Sequence, residues 1–176
     1  EYDGPTAEAY VAGGCFWCVE ADYEKLDGVV AAISGYSGGE EVDPAYEQVA
    51  SGATGHREAI QITYDPTIIT YRELIDHLWQ VIDPTDGEGS FVDRGFQYTS
   101  AVYYQTDEEK EAAEASRDAV ADRYDDPIAT SIEPFAGFYV AEDYHQDYYV
   151  KNPFRYSIYR HGSGRDQYLQ EEWGNE

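Results

Sequence analysis

Gly13-Gly14-Cys15-Phe16-Trp17-Cys18 is the stretch from which the chain can be read in both directions. Upstream, residues 7–12 read as a short strand. Downstream, Val19, Tyr23 and Leu26 fall at i, i+4 and i+7, the spacing of an amphipathic helix over about residues 16–26. Strand, two-glycine turn and helix make the opening of a βα unit. Cys15 then sits at or just before a helix N-terminus, where free N–H groups and the helix dipole favour an anion. The expected resting form of Cys15 is therefore the thiolate, the nucleophilic form. One helical turn puts Cys15 and Cys18 on a common face, within disulfide reach after little backbone adjustment.

These are the only two cysteines in 176 residues. Two small buried hydrophobes are one explanation. Structural zinc is another, but it wants four ligands in paired spacings, and His56, His77, His145 and His161 form no such pair. Glycines, a helix start and Cys-x-x-Cys together are better explained by redox or nucleophilic work. The pair closes no long loop, so a reducing, cytoplasmic setting is the expectation.

The remaining elements complete an α+β pattern. Residues 29–33 read as a buried strand that Gly35-Tyr36-Ser37-Gly38-Gly39 breaks. Residues 57–64 alternate as a strand with Ile60, Ile62 and Tyr64 on one side, and Glu58 shares their parity. A carboxyl on an apolar face costs free energy unless it is paired, protonated or used, which marks Glu58 as a candidate site residue. If the strand instead starts at Ala59, Glu58 lies in water. Thr70-x-x-Glu73 and Thr106-x-x-Glu109 each announce a helix, and the first carries the stripe Leu74, Ile75, Leu78, Trp79 and Ile82. Residues 83–95 form a long polar loop, residues 98–104 a strand, and residues 129–134 a last strand. The order β-α-β-β-α-β, then α-β, predicts a two-layer α+β sandwich with a ferredoxin-like split βαβ core and long covering loops. Residues 1–176 are expected to form one domain. The tyrosine-rich last forty residues are read as a tail that wraps and packs on it.

With 36 acidic against 11 basic residues, the formal charge of −25 argues against nucleic acid and anionic membrane as partners. No apolar run approaches the length that spans a bilayer. The acids are spread along the chain rather than held in blocks, which reads as adaptation to concentrated salt.

Several motifs in order resemble the peptide methionine sulfoxide reductases of the A type. They are Gly14-Cys15-Phe16-Trp17, Asp43-Pro44-Ala45-Tyr46, Thr54-Gly55-His56-Arg57-Glu58, Asp93-Arg94-Gly95-Phe96-Gln97-Tyr98-Thr99-Ser100, Tyr144-His145-Gln146-Asp147-Tyr148 and Lys151-Asn152-Pro153. The resemblance spans Gly13 to about Pro153. It implies that Cys15 attacks the sulfur of methionine S-sulfoxide, in peptides or free, and becomes a sulfenic acid. It further implies that Glu58 is the proton donor to the sulfoxide oxygen, that Tyr46 and Tyr98 hold that oxygen, and that Asp93 orders the site. Phe16 and Trp17 would cage the S-methyl group. No cofactor is implied beyond an external reductant, thioredoxin or dithiothreitol, and a monomer is expected.

Two departures from the family pattern matter. Many members have Gly at the Cys18 position and carry resolving cysteines near the C-terminus, where His161-Gly162-Ser163-Gly164-Arg165 has none. Cys18 is thus left to resolve the sulfenic acid as a Cys15–Cys18 disulfide. Thr99 stands where an Arg is more usual. The rival reading is a general thiol–disulfide oxidoreductase, which needs Cys-x-x-Cys but not Glu58.

Overall fold

The structure is a computed structural model and describes residues 1–174. Among these, six strands form one mixed sheet in the order β7-β6-β1-β3-β2-β8. They are β1 (Ala7–Gly13), β2 (Val29–Ser37), β3 (Arg57–Tyr64), β6 (Ser100–Tyr104), β7 (Ser131–Pro134) and β8 (Phe138–Val140). A two-stranded ribbon, β4 (Gly89–Ser90) with β5 (Asp93–Arg94), stands apart. The helices are α1 (Phe16–Glu24), α2 (Tyr46–Ala50), α3 (Tyr71–Trp79), α4 (Asp107–Ala121), α5 (Tyr148–Lys151), α6 (Pro153–Ser163) and α7 (Arg165–Trp173).

β1 and β2 both run antiparallel to β3, which lies between them, and β6 runs antiparallel on the other side of β1. β1 is buried on both faces from Ala9 onward, and its side chains alternate between two clusters. Ala9 and Val11 join Ile60, Ile62 and Val102 under the helices. Tyr10 and Ala12 face the other way, with Ala59, Ala101 and Tyr103. That second face is covered by Phe135 and Phe138, and Phe135 stacks on Tyr10 at 4.1 Å between centroids. Two-residue periodicity in each strand thus builds both faces of the sheet.

α3 packs its predicted stripe, with Leu74, Ile75, Leu78 and Trp79 all buried. Its capping box is closed by Thr70 and Glu73, and the Trp79 indole donates to Ser116 of α4 at 2.8 Å.

Three expectations change. The strand starting at Val29 is not broken at Gly35; it runs on to Ser37, and the break falls at Gly38, with φ +97°. Gly35 is there because β8 crosses it closely: a Cβ would lie 2.4 Å from the Tyr139 carbonyl oxygen and 2.3 Å from the Phe138 ring. The long loop from Asp83 contains the β4–β5 ribbon. The tail does pack on the domain, but as three helices. It is pinned by Gln146, whose amide accepts from the Ser34 N–H at 2.9 Å and donates to the Ser34 carbonyl at 2.8 Å. That amide gives β2 a substitute for a strand partner.

Candidate active site

The βα turn puts Cys15 where expected, as the N-cap of α1. Gly14 takes φ +92°, and any Cβ there would strike the Ser90 side chain at 2.2 Å. The glycine therefore lets the β4–β5 ribbon close over the turn. The Cys18 N–H donates to the Cys15 carbonyl at 3.1 Å, and the two thiols are hydrogen-bonded to each other. Both are free and buried, Cys15 with 5% of its surface exposed and Cys18 with none.

Glu58 stays on the apolar face of β3 and is buried, so its strand does not start late. Its carboxyl accepts the Phe16 N–H at 3.1 Å, tying β3 to the first turn of α1. Burial pushes its pKa up to about 8, against the lowering by that N–H, and the nearby charge of Asp93 adds to the rise. The carboxyl is thus mostly protonated at neutral pH.

A small cavity of about 40 Å³ opens over Cys15 and Glu58. Phe16, Trp17, Tyr46, Tyr98 and Asp93 line it with them. Tyr46 begins α2, and Tyr98 ends a 3₁₀ turn over Phe96–Tyr98. Among the described residues no hydrogen-bond partner is found for either hydroxyl, so both are available to an oxygen in the cavity. Burial pushes Tyr46 up to about 12 and Tyr98 upward as well, so both remain donors. Of the eight predicted site residues, seven line this cavity. The eighth, Cys18, is fully buried and does not line it.

The thiolate expectation fails. Burial is the largest influence on Cys15 and raises its pKa well above that of a free thiol. The hydrogen bond to Cys18 and the charges of Glu58 and Asp93 push the same way. Desolvation and neighbouring acids outweigh the helix dipole, and the resting form of Cys15 is the thiol. Cys18 is shifted the opposite way, lowered by the Cys15 hydrogen bond and by Arg165 and Arg160.

Sequence reasoning gave no role to three residues that the structure adds. Tyr159, from α6, completes the cavity wall and hydrogen-bonds both Asp93 and Cys15. His145 accepts the Trp17 indole N–H on Nδ1 at 3.0 Å, and burial lowers its pKa, which keeps it neutral. Tyr148 stacks flat on Trp17 at 3.9 Å. Trp17 is thus fixed by two residues of the Tyr144–Tyr148 motif. Tyr159 was hidden among 18 tyrosines, with only its spacing in the tail to mark it.

His56 holds loop backbone: Nδ1 accepts from Gly39 N–H at 3.1 Å and Nε2 lies 2.8 Å from the Glu41 carbonyl. Thr99 accepts from Arg57 Nε at 2.8 Å, and Arg57 goes on to Tyr103 and Glu133. The unusual threonine therefore anchors the neighbour of Glu58.

The sequence model of the family described as Peptide methionine sulfoxide reductase matches residues 7–176. The chain is 52% identical over 169 residues to peptide methionine sulfoxide reductase MsrA/MsrB of Vibrio cholerae, covering 95% of this chain and 45% of that protein. It therefore spans about half the length of that curated relative. Against peptide methionine sulfoxide reductase MsrA of Bacillus licheniformis it is 48% identical over 168 residues, 94% of this chain and 93% of that one. Mxr1 of Saccharomyces cerevisiae in its reduced form superposes with a TM-score of 0.82 at 35% identity, over 88% of this chain and 90% of that one. The same yeast protein in complex with Trx2 gives a TM-score of 0.58 at 27% identity, over 84% of this chain and 88% of that one.

Proposed function

The chain belongs to the peptide methionine sulfoxide reductase A family, and we propose that it reduces the S-epimer of methionine sulfoxide, in peptides or free, at Cys15. The observation that carries the reading is one small cavity in which a cysteine, a protonated carboxyl and phenol hydroxyls meet beside an aromatic wall. Its volume suits a methylsulfinyl group rather than a whole residue. Phe16 and Trp17 take the methyl, a use to which sulfur–aromatic contact is suited.

A sulfoxide oxygen leaves sulfur only if the charge building on it is met by a proton or strong donors. Glu58 supplies the proton, Tyr46 and Tyr98 the donors, and Asp93, bonded to Tyr159, orders that side of the cavity. Cys15 Sγ attacks the sulfoxide sulfur, the sulfur–oxygen bond breaks and the oxygen ends on Cys15. One thiol and one sulfoxide enter; one sulfenic acid and one thioether leave. Cys18 then displaces the sulfenic oxygen as water, giving the Cys15–Cys18 disulfide. A dithiol reductant closes the cycle. We take it to be thioredoxin, in line with the yeast relative solved with Trx2.

In the same reading, residues 1–176 make one monomeric catalytic domain with a ferredoxin-like split βαβ core, a description that the placing of β3 between β1 and β2 supports. The setting is a reducing one that feeds the cysteine pair, such as the cytoplasm, and a salt-rich one. No helix among the described residues is long and apolar enough to cross a membrane.

Turnover of each methionine sulfoxide epimer separately, with dithiothreitol in molar salt, tests the reading. Reduction of the S-epimer alone is expected. No turnover of either epimer, together with reduction of insulin disulfides, would replace it with a general thiol–disulfide oxidoreductase.

A further inference from the structure

The outer face of α6 departs from the acidic character of the chain. Residues 148–165 contain no Asp or Glu, the longest such run in a sequence with 36 acids, and they hold four cations. Two large apolar side chains of α6, Phe154 and Ile158, are 77% and 59% exposed, and Val150 of α5 is exposed as well. Phe154 and Ile158 are four residues apart and share one side of the helix. The opposite side is the packed one, where Arg160 donates to Asp22 of α1 and to the Tyr156 hydroxyl, each at 2.9 Å. Apolar side chains gathered in the open beside a site mark a surface that binds another molecule.

Charge singles out the same face. Of the four cations, Arg165 is buried against the carbonyls of Val81 and Gly13. Arg160 is matched by Asp22 and Asp166, and Lys151 lies 3.8 Å from Asp143. Arg155 is exposed and, among the described residues, has neither an ion pair nor a hydrogen bond. Where acids outnumber bases about threefold, an arginine left without one points outward for its partner. Arg155 stands four residues before Tyr159, which lines the cavity, so the two share a side of α6 about 6 Å apart. Ile158, three residues on, adjoins Arg155 from the apolar side.

We propose that this face of α6 takes the polypeptide that flanks the oxidised methionine, and that it selects extended, unfolded segments with an acidic residue near the sulfoxide and an apolar one beyond it. The inference rests on the proposed function and names its substrate class. A cavity of about 40 Å³ admits the sulfinyl end of one side chain and leaves the flanking residues on the surface. An extended chain advances about 3.3 Å per residue, and residues two apart point the same way. With the sulfoxide beside Tyr159, the residue two positions away therefore comes level with Arg155, facing it. A carboxylate there meets the guanidinium fork. An apolar side chain further along covers Phe154 and Ile158.

The test compares unstructured peptides carrying one methionine S-sulfoxide, with dithiothreitol as reductant in 1 M KCl. That salt leaves contact pairs in place and screens the long-range repulsion from the rest of the chain. Glu is placed two positions before or two positions after the sulfoxide. In one of these places it should lower KM roughly three- to fivefold relative to Gln, the effect of an exposed ion pair, with kcat unchanged. Arg155→Gln should abolish the difference and Arg155→Glu should reverse it. Phe154→Ser combined with Ile158→Ser should raise KM about tenfold for a peptide with Leu beyond the acid and leave a peptide with Ser there unchanged. N-acetyl methionine S-sulfoxide methylamide has no flanking residues, and all these chains should reduce it alike. Equal KM for the Glu and Gln peptides in the unsubstituted chain would overturn the proposal, and so would a preference that survives Arg155→Gln. Substitutions that raise only the KM for thioredoxin would assign the face to the reductant and overturn it as well. If the unsubstituted chain fails on the methylamide, the proposed function falls; if it reduces the methylamide without distinguishing the peptides, only this inference falls.

Discussion

Glu58 carries the clearest trade between function and stability. Its carboxyl is protonated below about pH 8 and ionised above it, whereas an exposed glutamate ionises near 4.5. The proposed proton donor is therefore lost as pH rises through 8, while Cys15, held well above an ordinary thiol, has yet to ionise. Attack also needs the Cys15 thiolate. Single-turnover methionine formation should therefore rise up to about pH 8 and level off above it, each further pH unit gaining thiolate and losing the acid about tenfold. Glu58→Gln should remove this levelling, leaving a rate that keeps rising with pH, and slow the step near neutral pH roughly 10- to 100-fold, less than a full general acid supplies, because an amide still donates. Cys15→Ser should abolish the step altogether. Stability should move the other way. Between pH 4.5 and 8 the folded chain binds a proton that the unfolded chain has released, so Glu58 weakens folding as pH rises through that window. The Glu58→Gln chain should match the parent near pH 4 and exceed it by roughly 2–5 kcal/mol at pH 9, at about 2–4 °C in melting temperature per kcal/mol. Equal melting curves at pH 9 would show that Glu58 is ionised there without strain. Glu58 was legible because strand parity alone aims it inward. Tyr159 was not, because it reaches the site from a tail whose path no local pattern states.

At the scale of elements, the readable parts were those with a strong period or a cap. β3 was expected at residues 57–64 and is found there, and α3 follows its stripe and capping box. β8 was missed because three residues carry no period; only the edge of β2 makes them a strand. The break expected at Gly35 was misplaced for the same reason, since that glycine answers to β8 and not to a turn. Gly35→Ala tests this account. Its Cβ would meet backbone at 2.4 Å, and the Tyr139 carbonyl cannot swing aside as a side chain can. Overpacking of this kind costs about 1–3 kcal/mol. Denaturant unfolding should show a loss of that size, with β8 exchanging its amide hydrogens faster than β1. A neutral Gly35→Ala would mean that β8 is only loosely laid on the sheet.

For the molecule as a whole, the net charge of −25 sets the conditions under which any of these measurements should be made. α4 and the turn after it expose Asp107, Glu108, Glu111, Asp118, Asp122, Asp125 and Asp126, with few cations nearby. Lys110 reaches over the Tyr104 ring at 5.7 Å, and Arg117 pairs with Asp118 at 3.1 Å. Carboxylates on one exposed surface repel across water, and unfolding relieves that repulsion by moving them apart. Salt shortens the range of the repulsion, from about 30 Å at 0.01 M to about 3 Å at 1 M. The melting temperature should therefore rise steadily from dilute buffer into molar KCl. Ionic screening should act mainly below about 0.5 M, whereas strengthened apolar burial depends on the salt chosen and grows with sulfate. Comparing KCl with potassium sulfate at equal ionic strength separates the two. Coincident curves in the lower range assign the gain to charge, and a flat KCl series would mean that the spread of acids costs the fold nothing in dilute buffer.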